Sequence, residues 1–287
     1  MERNIKDSQN FMHDLKLVED IVGKSNISSN DFVFEIGPGE GIITETLKNK
    51  AKEVIAIEYD RNLYEKLLKK FKNYKNVKII NSDFITYELP VNYNYKIFSN
   101  IPFNLTSNIF EKTLTNYQNI TDFYFIMQYE AALNYMGIPN ESFKSLLFKP
   151  IFESKIIYEF KNTDFKPTPN VKIVLVHFHK KEFCDIKNAP INDYWDLVAY
   201  LFSNTGVNFK EKTKLIFTYE QQKRIKKSIK IEFESSITSW TYNNWLNIFN
   251  AYNTFVNQEK KNIVKNSYSK LRKNQSNLDK VFRTRKY

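Results

Sequence analysis

Apolar positions along the first half of the chain fall into short runs, separated by stretches in which they recur every three or four residues. The runs Asp31–Ile36, Val54–Glu58, Val77–Asn81, Lys96–Asn100 and Asp122–Gln128 predict buried strands. Gly41–Lys50, Asn62–Phe71, Thr106–Leu114 and Glu130–Met136 carry the helical period. This alternation predicts a parallel sheet with helices on both faces. Ile151–Phe160 and Val171–His179 read as two strands with no helical pattern between them, so they should form an antiparallel pair at one edge of the sheet. Around Lys180–Ile191 the pattern changes. Tyr194–Phe202, Glu220–Ile231 and Trp240–Phe255 read as helices of a small all-α domain. The expected divisions are an α/β domain over 1–182, a helical domain over 183–259 and a tail over 260–287. The tail holds ten Lys and Arg against one acid, Asp279, and is expected to be mobile in the free protein.

Charge sharpens this division. The chain of 287 residues has a net charge of +11. Residues 1–180 carry 23 basic and 22 acidic side chains, whereas residues 181–287 carry 20 and 10. A surplus confined to the C-terminal third suggests a polyanionic partner, with nucleic acid the foremost class. Lys210, Lys212, Lys214, Lys223, Arg224, Lys226 and Lys227 are candidates for its grip. Cys184 is the single cysteine, which excludes an intrachain disulfide and a cysteine zinc site. His177 and His179 stand two apart on an expected strand and share a face. With no further ligand evident nearby, they read as a partly exposed sheet face, and no metal site is expected. No apolar signal core and no run of about 18 apolar residues occurs, so a soluble cytoplasmic protein is expected.

The chemistry concentrates at strand ends. Glu35-Ile36-Gly37-Pro38-Gly39-Glu40-Gly41 lies between a strand and a helix. Its glycines permit tight turns and close approach of backbone to a ligand. The dinucleotide fingerprint is G-x-G-x-x-G, which sets a pyrophosphate on a helix N-terminus. Here the spacing is G-x-G-x-G with Glu35 ahead of it. A carboxylate there repels a pyrophosphate and suits a cationic ligand, such as the ammonium and sulfonium of S-adenosylmethionine. Glu58 ends the second strand, where a carboxylate can accept hydrogen bonds from both ribose hydroxyls. Asp83 follows the third strand, placed to accept from an adenine amine. Asn100-Ile101-Pro102-Phe103 ends the fourth. The Asn100 side-chain oxygen and the Ile101 carbonyl can accept from the exocyclic amine of a flipped-out adenine. Pro102 fixes the bend, and Phe103 offers a face for the base to stack on.

These segments together resemble the motifs of the ribosomal RNA adenine N6-methyltransferases. Ser8-Gln9-Asn10-Phe11 resembles that family's N-terminal motif, which implies that Asn10 and the backbone at Met12 line the cofactor pocket. The match runs in order through Phe165-Lys-Pro-Thr-Pro-Asn-Val171. It implies a Rossmann-like class I methyltransferase sheet, mostly parallel with an antiparallel edge hairpin, followed by a small C-terminal all-α domain. The implied cofactor is S-adenosylmethionine, bound by Asn10, Met12, Glu35, Gly37, Gly39, Glu58, Asp83 and Asn100, with no metal in the reaction. Asn100, Ile101, Pro102 and Phe103 would act on the target adenine. Phe103 and Phe165 would stack on it, while Lys210, Lys212 and Arg224 would hold the RNA. Phe103 stands where the family often carries Tyr, which keeps the stacking face and removes a hydroxyl. Tyr194-Trp195-Asp196-Leu197, Tyr200-Leu-Phe-Ser203 and the ending Arg283-Thr-Arg-Lys-Tyr287 are similar to the Erm branch. That branch methylates an adenine of 23S ribosomal RNA, free or in an assembly precursor, and confers resistance to macrolides, lincosamides and streptogramin B. A monomer without membrane association is implied. The other readings are a KsgA-type enzyme, which dimethylates adjacent adenines of small-subunit RNA, and a non-catalytic RNA-binding relative.

Overall fold

The computed structural model describes residues 11–277. Among them, residues 11–136 together with 151–182 form one compact unit, and residues 137–150 with 183–277 form a second.

The first unit is built on seven strands: β1 (Phe32–Ile36), β2 (Glu53–Glu58), β3 (Val77–Asn81), β4 (Tyr95–Asn100), β5 (Ile120–Gln128), β6 (Phe152–Glu159) and β7 (Ile173–Lys180). Their order across the sheet is 3-2-1-4-5-7-6. The first five run parallel. β7 lies antiparallel to both β5 and β6, which gives the expected edge hairpin. The central strands read as nearly continuous apolar runs because both of their faces are covered. Val33, Val54, Phe98, Tyr124 and Ile126 are all buried in one cluster.

Helices α1 (Leu15–Gly23), α2 (Ile42–Leu47), α3 (Arg61–Phe71), α4 (Thr106–Thr115) and α5 (Tyr129–Met136) complete this unit. Asp14 caps α1 by accepting from the N–H groups of Lys16 and Leu17. A two-residue bridge pairs Phe11–Met12 antiparallel with Phe165–Lys166. Strand order reverses between β1 and β4, and in a doubly wound sheet the crevice at such a switch point is the place for a ligand.

The second unit comprises α6 (Phe143–Phe148), α7 (Ile191–Ser203), α8 (Phe209–Thr213), α9 (Tyr219–Ile229), α10 (Tyr242–Phe255), α11 (Gln258–Val264) and α12 (Ser267–Asn277). The Trp195 indole N–H donates to the Leu147 carbonyl at 3.1 Å, fastening α7 to α6. Residues 260–277, expected to be mobile, are instead helical apart from the turn at Lys265 and Asn266. The Asp196 carboxylate on α7 accepts from the N–H groups of Asn266 at 2.7 Å and Tyr268 at 2.9 Å, so it satisfies orphan donors at the start of α12. The Tyr268 and Trp195 rings pack with centroids 5.7 Å apart. This dock escaped the periodicity reading because its apolar contribution is a few side chains among many lysines. The ending 283–287 lies outside the described residues. Among the described residues no helix is long and apolar enough to cross a membrane.

Candidate active site

The ladder between β1 and β4 is short. Val33 pairs with Lys96 and Phe34 with Ile97, and the strands then part. A cavity opens beyond the gap. Met12, Glu35, Gly37, Asn100, Ile101, Pro102 and Phe103 all line it, together with Phe11 and Pro38. Seven of the residues chosen from the sequence thus surround one space.

Gly37 has φ +61°, and a Cβ there would meet no atom within 4 Å, so the turn presents bare backbone to open space. Gly39 has φ +59°, and a Cβ there would lie 2.7 Å from the Phe11 ring. Phe11 therefore seats against the missing side chain of Gly39. Phe11 was absent from the expected site residues, although its place beside Asn10 in the N-terminal motif was the available signal.

Glu35 is buried beneath the turn, and its carboxylate accepts a 2.6 Å hydrogen bond from the Thr44 hydroxyl on α2. Burial pushes its pKa up to about 8, with a smaller upward contribution from the Glu58 charge, while the Thr44 bond opposes both. Glu58 at the end of β2 accepts from the Gly39 N–H at 3.1 Å and from the Asp60 N–H at 2.8 Å. Its pKa is also raised by burial, offset in part by those N–H groups. The Glu58 carboxylate thus holds the glycine turn to β2. Asp83 lies beyond β3, where one oxygen accepts from the Ile85 N–H at 2.8 Å. Gly39, Glu58 and Asp83 lie outside the cavity lining itself. Asn10 lies outside the described residues.

Asn100 ends β4, and the Ile101 N–H continues the ladder by donating to the Ile126 carbonyl at 3.2 Å. Pro102 has φ −61°, and its carbonyl accepts from the Leu105 N–H in the turn that starts α4. The Thr106 hydroxyl takes the Phe103 carbonyl at 3.0 Å. These bonds hold the backbone of the motif, with the half-buried Phe103 ring at the cavity wall.

Two expectations are corrected. Phe165 is buried, packs against Phe160 at a 5.2 Å centroid distance and pairs with Met12. It cannot offer a face to a base, and it backs the Met12 wall of the cavity instead. Lys212 is buried, and its ammonium donates to the carbonyls of Leu201 at 2.7 Å and Asn204 at 2.9 Å. Burial lowers its pKa. It anchors α8 rather than facing phosphate. Lys210 and Arg224 are exposed on the second unit. Lys210 and Lys223 flank the exposed Tyr219 ring, with ammonium-to-centroid distances of 5.8 and 4.6 Å. Lys223 and Lys226 are partnered by Glu220 and Glu232.

The sheet order and the glycine turn facing an Asn-Ile-Pro-Phe turn across the switch point define a Rossmann-like class I methyltransferase. The chain belongs to the ribosomal RNA adenine dimethylase family, whose profile matches residues 1–254. It is an enzyme of the rRNA adenine N6-methyltransferase type, in a family dependent on S-adenosylmethionine. An rRNA adenine N-6-methyltransferase of Bacillus anthracis is 30% identical over 253 residues, covering 88% of each chain. Ribosomal RNA small subunit methyltransferase A of Mycoplasma mobile is 31% identical over 239 residues, covering 82% of this chain and 92% of its own. The crystal structure of the 23S rRNA methyltransferase ErmE superposes with a TM-score of 0.76 at 23% identity, over 85% of this chain and 100% of that one. At that identity the likeness bears on fold alone.

Proposed function

We propose that this chain methylates N6 of one adenine in 23S ribosomal RNA, using S-adenosylmethionine, and thereby confers resistance to macrolides, lincosamides and streptogramin B. The observation that carries adenine chemistry is the convergence of Asn100, Ile101, Pro102 and Phe103 on the cavity that Glu35 and Gly37 also line.

The residues present suit the cofactor. Gly37 turns open backbone toward the cavity, and Glu35 is a buried acid whose ionised form lacks a close cationic partner in the hydrogen bonds it makes. A ligand bearing ammonium and sulfonium supplies that partner. Met12, Glu35, Gly37 and Asn100 would hold it, with Glu58 and Asp83 toward its ribose and adenine. When bound, S-adenosylmethionine supplies an electrophilic methyl group on a cationic sulfur.

The protein's own part is positioning and electrostatics. The Asn100 side-chain oxygen and the Ile101 carbonyl accept the two amine hydrogens, which favours a more tetrahedral and more nucleophilic N6. Phe103 stacks on the extruded base and offsets an unstacking cost of a few kcal/mol. Exposed Lys210, Lys214, Arg224 and Lys227, with Tyr219, form the basic and aromatic surface offered to the RNA.

The choice of 23S RNA rests on the resemblance of Tyr194–Ser203 to the Erm branch. In this structure that segment is α7, whose Trp195 and Asp196 hold α6 and α12. A second reading, the small-subunit dimethylase, is supported by the relative from Mycoplasma mobile. Labelled methyl transfer to deproteinised 23S and 16S rRNA, assayed separately, tests the choice. Label in 16S rRNA alone would establish the second reading, and label in neither would leave only RNA binding.

A further inference from the structure

A second cluster of chemistry lies at the other end of the sheet, at the amino end of β5. In the antiparallel register Asp122 stands opposite His179 and Tyr124 opposite His177. Direct and diagonal neighbours on one face of such a pair are within side-chain reach. His177 Nε2 and His179 Nδ1 each lie 2.8 Å from the same oxygen, Asp122 Oδ1. One ligand atom from each of the three residues falls within 4.8 Å of the others. Two histidines alone read as an exposed sheet face. The third ligand became visible only through strand pairing.

We propose that Asp122, His177 and His179 bind one divalent transition-metal ion of the zinc class, with the fourth coordination position open to solvent beside His179. Zinc takes imidazole nitrogen and carboxylate oxygen at about 2.0–2.2 Å in tetrahedral sites, so donor atoms close to van der Waals contact need only small rotations to receive it. The supporting shell is already in place. Asn26 Nδ2 donates to Asp122 Oδ1 at 2.9 Å, and the Tyr124 hydroxyl donates to Asn26 Oδ1 at 2.9 Å. The Tyr124 ring stacks on His177 with centroids 4.2 Å apart. Ligands held in this way are pre-oriented. Access is from the His179 side, where the ring is 53% exposed while Asp122 is 3% exposed. The nearest opposing charge is Lys96 Nζ, 4.0 Å from Asp122 Oδ2, and it is paired with Asp31 at 3.0 Å. The ion would clip β7 to β5 and strengthen the edge of the sheet. It would take no part in methyl transfer, whose residues sit at the carboxyl ends of β1 and β4.

The test is calorimetric titration of the full chain with zinc chloride, alongside visible absorption on adding cobalt(II). One ion per chain and tetrahedral cobalt bands are expected, with a rise in melting temperature on saturation. His179→Ala, at an exposed position, should keep the fold and weaken binding at least tenfold, since loss even of outer partners costs about 10–100-fold. Cys184→Ser and His13→Ala should bind as the parent does. No saturable binding, binding unchanged in His179→Ala, or binding lost in Cys184→Ser would each overturn the proposal, leaving the cluster as a hydrogen-bonded network.

Discussion

The Ser99 hydroxyl donates to the Ile36 carbonyl across the gap where β1 and β4 part. Ser99 is fully buried, and it precedes Asn100 just as Ile36 precedes Gly37. One hydrogen bond thus ties the start of the Asn-Ile-Pro-Phe turn to the start of the glycine turn, at a level where the backbone ladder has ended. Ser99→Ala should cost about 1–3 kcal/mol of stability, because the Ile36 carbonyl is left buried and unpaired. Turnover should fall several-fold beyond any change in cofactor affinity. Denaturant melts and single-turnover rates check this, and an unchanged rate would show that the spacing is held by packing alone.

In the proposed mechanism Asn100 touches the acceptor adenine rather than the methyl donor. Asn100→Ala should reduce turnover far more than it reduces cofactor affinity. Phe103→Ala should do likewise through lost stacking, while Phe103→Tyr stays active. Kinetics paired with calorimetry separate the two effects, and near-normal turnover in Asn100→Ala would sink the mechanism.

Glu58→Ala should weaken S-adenosylmethionine binding by roughly 1–3 kcal/mol, since charge-assisted hydrogen bonds to the ribose are lost. The Gly39 N–H also loses its acceptor, so the apoprotein should melt earlier. Unchanged affinity in a titration would remove Glu58 from the site.

Glu35 gives a pH dependence with a definite sign. Its pKa rises from 4.5 to about 8 on folding. Between those values the native state holds a proton that the unfolded state has released, so this group's contribution to stability falls as pH rises through the window. A cationic ligand favours the ionised form. Cofactor affinity should therefore climb with pH, by up to about tenfold per unit, and level off above about 8. Calorimetry across that range, on the parent and on Glu35→Gln, checks it. The variant should lose the slope, and a flat profile in the parent would show that Glu35 stays neutral in the complex.

Two truncations separate the roles of the C-terminal residues. Deleting 278–287 removes Lys280, Arg283, Arg285 and Lys286 and leaves α12 whole. If those side chains neutralise phosphates, the slope of log affinity for rRNA against log salt should flatten by up to about 0.7–0.9 per contact, with folding unchanged. Deleting from 260 also strips the helix that Asp196 caps, and should lower the melting temperature. Filter binding at several salt concentrations reads the first effect and thermal melts the second.

The central strands were legible because each is a short apolar run buried on both faces, and the boundaries of the partly exposed edge strand β3 were read to the residue. The glycine turn and the Asn-Ile-Pro-Phe turn were legible because backbone demands restrict them to few residue types. Helices α6 and α8 span fewer than two turns, and neither has the glycine turn that marks the opening of the equally short α2. Lys212 misled because a charged side chain reads as exposed, while the carbonyls of Leu201 and Asn204 that receive it come from the preceding helix and turn. Phe165 misled for a similar reason. Its motif implied a stacking face, and its pairing with Met12 is a long-range fact. The neutralising burial of Glu35 and the third member of the Asp122 cluster likewise depend on partners distant in the chain.

The Phe11–Met12 bridge to Phe165–Lys166 bears on the order of events during synthesis. Both turns that line the cavity leave the ribosome well before Phe165 does. Until Phe165 emerges, Met12 lacks its pairing partner and the pocket lacks a secured wall. If the cavity holds the methyl donor as proposed, affinity for it is a property of the completed sheet, and prematurely terminated chains that carry every residue of the two turns should remain unable to hold it.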